Sequence, residues 1–573
     1  MSVASMINAQ RVNIDGAAQT FSVSTDQYFD DLFHAAPSAG TSVGLHQYDT
    51  MLEDYSSTAV QKNVANLREW QKKFEAIPAD GLDRDVAEDR EILLNSIRSQ
   101  ILSLDTIRMW EKNPDNYSSG IAGSIFVIMS RNYAPVNTRL RAAVEREKLM
   151  PQVFTEARKN LKNPPKIYTE IALEQIDGLV GFFQNDVPSA FKDATDTQTK
   201  ADFAKSNAAV VDALKSYGAW MKTDLLPRSN GMFAFGTDTY RKKLLYDEMV
   251  DTPLDRLIEI DTANMRANQA EFARIAKEVD PTKTPTEVLA ELATIHPAPD
   301  KLLDAFRDSF NSEMAFIKEH HIITLPSEIR PVLEETPPFM RATTQASMDP
   351  PGPFETHSTT AFFNVTLPEK DWSKKRVAEH MAAFNVGTIV STSVHEAYPG
   401  HYVQFLYQSQ FPSKIRKLVG ASSNIEGWAH YCEQMMLDEG YGQPGTGAKD
   451  AREAKLIRLG QLQDALLRNA RFIVGIKMHT EGMTIEQAEA FFVKEGYQSP
   501  SIATMETKRG TADATYLYYT LGKLQILKLR DDVKKKRGTA YTLQGFHDDF
   551  IKQGGVPIKV IRKAMLHDNS PVL

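Results

Sequence analysis

Cysteine is almost missing from this chain. Its 573 residues include only Cys432, so no intramolecular disulfide can staple the fold and stability must come from burial. Long apolar runs are missing too: nothing approaches the ~20 consecutive apolar residues that cross a bilayer, so no membrane span is expected. There is no basic excess. With 66 Lys and Arg against 74 Asp and Glu the net charge is −8, which argues against nucleic acid or an anionic membrane as a partner. Residues 1–10 carry no basic stretch followed by an apolar core, so no signal peptide is read there. The localisation stays open between cytoplasmic and exported with a trimmed leader. Internal repeats and low-complexity tracts are absent, and strand signals are few.

What is present is helical periodicity. Val60, Val64, Leu67, Phe74 and Ile77 recur at spacings of three, four and seven, and Leu93, Ile97, Ile101 and Leu104 repeat the pattern. Such stripes are the buried faces of amphipathic helices. Further helices are predicted near 166–186, 198–222, 253–278, 300–320, 388–410, 412–439, 447–478, 514–532 and 541–551. The best strand signal is Thr359–Thr366, β-branched and aromatic, ended by Pro368. That element could take up an extended peptide as an additional strand. The preceding stretch, Thr336 to Glu355, contains Pro350-Pro351-Gly352-Pro353 and reads as a long loop or a lobe boundary. The expected architecture is therefore mainly α, a large two-lobed helical protein with a small β element just before the chemistry. It is one unit, 1–573, with a helical N-terminal lobe at 1–335 and a C-terminal lobe at 336–573.

The chemistry centres on His395-Glu396-Ala397-Tyr398-Pro399-Gly400-His401. A hydrolytic zinc ion needs two neutral imidazoles, one further ligand and an open position for water. It also needs a carboxylate to take that water's proton. Two histidines six residues apart on a regular helix would lie roughly 120° out of line and about 9 Å apart along the axis. Pro399 has no N–H to continue the helix and Gly400 tolerates unusual dihedrals. A local distortion there is therefore expected to return His401 to the face of His395. The third ligand is expected from Asn424-Ile425-Glu426-Gly427-Trp428-Ala429-His430-Tyr431-Cys432-Glu433, where Glu426, His430 and Glu433 share one helix face. Glu426 is the candidate ligand, and Glu433 could orient a ligand imidazole from behind.

These strings resemble the bacterial family catalogued as domain of unknown function 885. The likeness rests on HExxPGHxxQ at 395–404 and EGWAxYxE at 426–433. It extends through Pro37-x-x-Gly40-Thr41-x-x-Gly44, Arg139 to Leu161, Pro351 to Glu355, Arg471 to His479, Glu506-x-x-Arg509, Tyr519-x-x-Gly522 and Arg530. The resemblance implies one zinc ion on His395, His401 and Glu426, with Glu396 as general base. It also implies a two-lobed helical shell around a deep cleft. Many members carry Pro-Gly-Gln before the late tyrosine, where this chain has Asp513-Ala514-Thr515, so the substrate of a relative does not transfer.

A zinc peptidase also needs a donor for the developing oxyanion. Tyr519, which matches the family string, is preferred over Tyr518 and His479. Arg509 is the candidate for binding substrate, and Arg471 and Arg530 are further cations that could hold a carboxylate. Gly40-Thr41-Ser42-Val43-Gly44 fits G-x-S-x-G but has no strand before it. Cys432 reads as a small apolar core residue. The expectation is a zinc-dependent hydrolase cleaving amide bonds in short peptides. The rivals are a non-haem iron oxygenase on the same His/His/Glu set and a non-catalytic peptide-binding protein.

Overall fold

The computed structural model describes residues 3–337, 341, 344–370 and 372–573. It is mainly α, as the periodicity predicts. The long helices include Lys166–Gly181, Thr197–Trp220, Leu254–Val279, Leu302–Glu319, Ala451–Thr480 and Tyr518–Arg537. Their starts obey local chemistry. Asp196 accepts a hydrogen bond from the backbone N–H of Thr199 to begin Thr197–Trp220, and Asp450 does the same for Glu453 in Ala451–Thr480. Each such cap satisfies a donor that the first helical turn leaves without a partner.

The chain divides into two compact units, Met1–Phe233 with Pro351–Thr359 and Ala234–Pro350 with Thr360–Leu573. The expected break at 335/336 therefore falls inside the second unit. The reason is packing. Tyr240, Leu244 and Leu257 share one buried cluster with Phe472, Ile476, Leu517 and Leu521, which ties the helices after 236 to the C-terminal half. The proline-rich segment does hold a unit boundary, as the boundary reading of Thr336 to Glu355 expects: the chain passes from the second unit to the first at Pro350/Pro351 and returns at Thr359/Thr360. In the first unit, Tyr28 meets Trp70 and Phe74 edge-on, and Tyr28 and Phe74 are almost wholly buried.

The second unit contains a three-stranded sheet in the order β1 (Val332–Glu335), β3 (Phe362–Val365), β2 (Ala346–Asp349). β1 runs parallel to β3 and β2 antiparallel to it. β3 lies inside the predicted strand, and buried Phe363 packs on Phe306 and Phe310. Being central, β3 is paired on both edges and cannot take up a further strand, which corrects the expectation for 359–366. The strand with an edge unpaired by its own sheet beside Glu396 is β2. It lies within the stretch expected to be loop; residues 338–340 and 342–343 of that stretch lie outside the described residues.

Candidate metal centre

Helix Val386–Glu396 begins at Asn385, whose side chain accepts from the N–H groups of Gly387 and Thr388. It stops at Glu396, and a second helix starts at His401. Between them the backbone is not helical. Ala397 and Tyr398 both donate to the Ser393 carbonyl, and Gly400 donates to that of Val394 at 3.0 Å. The Tyr398–Pro399 peptide is cis, and the Pro399 carbonyl accepts from Trp428 Nε1 at 3.0 Å. A Cβ on Gly400 would sit 1.8 Å from the His395 carbonyl oxygen, so only glycine fits. The expected distortion is present, and it brings the two imidazole centroids to 4.8 Å.

Glu426 comes from helix Ser422–Asp438. The buried carboxylate of Glu248 caps this helix, accepting from the N–H of Ser422 at 3.2 Å and of Ser423 at 2.9 Å. Glu426 Oε2 lies 3.3 Å from His395 Nε2 and 3.4 Å from His401 Nε2. This oxygen is buried and hydrogen-bonds to neither ring. A tetrahedral ion with bonds of about 2.0–2.1 Å would hold its ligand atoms about 3.3–3.4 Å apart. The spacing fits ligands around one ion, and a buried anionic oxygen without a donor calls for a cation. The ligand atoms of His395, Glu396 and His401 also lie within 4.8 Å of one another, so Glu396 stands beside the same point.

Behind the first histidine is a buried charged group. Glu433 Oε1 lies 2.7 Å from His395 Nδ1, and Glu433 Oε2 lies 3.1 Å from His430 Nδ1. Arg468 Nη2 sits 3.0 Å from Glu433 Oε1. Burial would push the Glu433 carboxyl up, but Arg468 and the two histidines hold it well below the ordinary carboxylate range. Burial likewise opposes a charge on His395, yet the carboxylates of Glu426 and Glu433 on its two sides push it up to about 10. The two carboxylates thus hold a cation at His395, and a metal ion would compete there with a proton. His430, fully buried, is pushed down to about 3 and is neutral. Arg468 was not anticipated; it lies one turn before Arg471 on the same helix, and its spacing alone does not distinguish it from a structural residue.

Glu396 Oε2 accepts from the Met348 N–H at 3.2 Å. Met348 belongs to β2, so the outer edge of that strand faces the candidate base. Tyr519, on helix Tyr518–Arg537, stacks toward His395 with centroids 6.4 Å apart. This helix lies against helix Ser422–Asp438 at a glycine pair. A Cβ on Gly427 would be 2.5 Å from Gly522 Cα, so the two helices approach closely just after Tyr519. The Tyr519 hydroxyl accepts from Arg509 Nη2 at 3.3 Å, and its own proton has no protein acceptor among the described residues. Tyr518, by contrast, donates to Asp513 Oδ2 at 2.9 Å. His479 is not at the site as a donor: its Nε2 is used on the Gly510 carbonyl at 2.8 Å, and burial pushes it down to about 4. Arg471 is taken up by both oxygens of Glu506, and Arg530 donates to the Tyr431 hydroxyl. Cys432 is wholly buried, as expected of a core thiol.

Two solved structures share this architecture. A protein of unknown function from Shewanella oneidensis, described as a candidate lipoprotein, is 25% identical with a TM-score of 0.79, over 95% of this chain and 99% of that one. A candidate lipoprotein from Colwellia psychrerythraea is 17% identical with a TM-score of 0.77, over 97% and 99%, and shows the fold alone. No curated protein matches the chain. The sequence from 37 to 565 matches the family described as bacterial protein of unknown function (DUF885), and the chain belongs to that family.

Proposed function

We propose that this protein is a zinc-dependent peptidase acting on short peptides, with His395, His401 and Glu426 holding the ion and Glu396 serving as general base. One observation carries the reading. The Glu426 carboxylate oxygen sits at tetrahedral ligand spacing from the Nε2 atoms of both His395 and His401, with the Glu396 carboxylate beside the two rings. A bound zinc ion would lower the pKa of a coordinated water to about 7 and polarise a scissile carbonyl. In this reading Glu396 takes the proton of the attacking water and returns it to the leaving amine. Tyr519, whose hydroxyl hydrogen is uncommitted and whose oxygen is already polarised by Arg509, donates to the carbonyl oxygen as charge builds there. The outer edge of β2 can align an extended peptide by backbone pairing.

The iron oxygenase reading gains nothing from Glu396, since an oxygenase needs no base beside its first histidine ligand. Metal analysis of the purified protein, followed by mass spectrometry of a digested peptide library, tests the proposal. Zinc at one ion per chain and cleaved peptide bonds are the expected results. Iron in place of zinc, or an untouched library with zinc bound, would overturn it. The likeness to two candidate lipoproteins adds a proposal about place: the protein is exported, and cell fractionation tests it.

A further inference from the structure

Three guanidinium groups surround the Tyr519 ring, with carbons 5.5 Å (Arg468), 4.9 Å (Arg471) and 5.8 Å (Arg509) from its centroid. Two of them are paired with a carboxylate and largely buried, with side chains 12% (Arg468) and 9% (Arg471) exposed. Arg471 makes two 2.7 Å bonds to the two oxygens of Glu506, the bidentate geometry that saturates one side of the fork. Arg468 is held by Glu433 at 3.0 Å. Arg509 is bound differently. It meets only one oxygen of Asp513, at 3.2 and 3.3 Å, and that oxygen also accepts from Tyr518. Its Nη1 group makes no hydrogen bond among the described residues, and its side chain is 37% exposed.

We propose that Arg509 receives the free C-terminal carboxylate of the substrate, so that the enzyme is an exopeptidase releasing short C-terminal fragments. The inference rests on the hydrolytic reading above and narrows it. A guanidinium offers five N–H donors in a planar fork, and a carboxylate is its best-matched partner. The Tyr519 ring stands next to both Arg509 and His395. The guanidinium carbon is 5.8 Å and the His395 ring 6.4 Å from the Tyr519 centroid, so the two are at most about 12 Å apart, which at about 3.3–3.6 Å per extended residue limits the leaving fragment to about three residues. In the reaction, water's oxygen bonds to the scissile carbonyl carbon and the C–N bond breaks. The proton taken by Glu396 goes to the departing amine, and Arg509 holds the far end of that departing fragment. The intramolecular Asp513 carboxylate occupies Arg509 only in part, leaving the Nη1 edge for the ligand.

The test uses the full chain loaded with zinc and a set of tetrapeptides made as free acids, as C-terminal amides, and as amides ending in Glu. Binding is titrated to the Glu396→Gln protein by calorimetry, and cleavage is followed with the unaltered protein. Free acids should bind at least tenfold more tightly than either amide, and Arg509→Met, still holding one zinc per chain, should erase that difference. Equal binding of acids and amides overturns the clamp, whatever is cleaved. Amides ending in Glu that match the free acids would assign the site to an acidic side chain and overturn the exopeptidase reading. If acids bind preferentially but none is cleaved, the clamp stands as a binding site and the hydrolytic reading fails instead.

Discussion

Glu433 Oε1 lies 2.7 Å from His395 Nδ1, which leaves the other nitrogen of that ring, Nε2, aimed at Glu426. A carboxylate in this position fixes the tautomer and orientation of a ligand histidine and raises its basicity. Glu433→Gln keeps the shape but removes the charge. The expected result is zinc affinity reduced about 10–100-fold, read by competition with a chelator of known strength, with turnover recovering at high zinc. Unchanged affinity would show that Glu433 serves packing alone.

Glu396 should separate binding from chemistry. Its Oε2 is held by the Met348 N–H and stands beside the imidazoles without being needed to complete the His395, His401, Glu426 set. Glu396→Gln is therefore expected to keep one zinc per chain while turnover falls by at least about 10²–10⁴-fold, the usual contribution of a general base. Glu426→Ala should do the reverse and lose the metal. Full zinc occupancy in Glu426→Ala would remove that residue from the ligand set.

Gly400 is the backbone condition for the site. A methyl group there would meet the carbonyl oxygens of His395 at 1.8 Å and Val394 at 2.4 Å, both backbone atoms that cannot swing aside. Gly400→Ala should force His401 away from His395 and abolish tight zinc binding, while helix content by circular dichroism stays near that of the parent. Normal zinc affinity in this variant would mean that the segment between the histidines can rearrange.

Much of this centre was legible in the sequence because each element has a physical signature. A six-residue spacing cannot serve one ion on a straight helix, and Pro399-Gly400 is the chemistry that breaks one; the observed break runs from Glu396 to His401. Glu426 and Glu433 were legible as one helix face. β2 was not, since four residues flanked by prolines carry no alternation strong enough to stand out from loop. Arg468 and the capping role of Glu248 were hidden for another reason. Both lie on helices where a charged residue usually faces solvent, and only packing reveals that Glu248 is 4% exposed. The proline-rich segment does hold a crossing between units, at Pro350/Pro351, but the one at Phe233/Ala234 was missed because unit membership there is decided by long-range contacts such as Tyr240 with Ala514.

Three buried glutamates give the fold an acid-side stability preference. Burial pushes Glu313 up to about 8, against hydrogen bonds from Ser393 and Ser309. It pushes Glu147 and Glu248 up to about 7, against donors from Ser206 and Asn207 and from Ser423. A carboxyl whose pKa is higher folded than unfolded binds its proton more tightly in the native state. Stability from these groups is therefore fully present below the unfolded value of 4.5 and is lost as pH rises to 7 for Glu147 and Glu248 and to 8 for Glu313. Glu313→Gln keeps a neutral group that can accept from one serine and donate to the other. It should match the parent at pH 4.5 and exceed it at pH 8 by on the order of 3 kcal/mol, seen as a higher melting temperature by calorimetry. Equal melting temperatures at pH 8 would mean that Glu313 ionises in the fold without cost and that another group sets the pH profile.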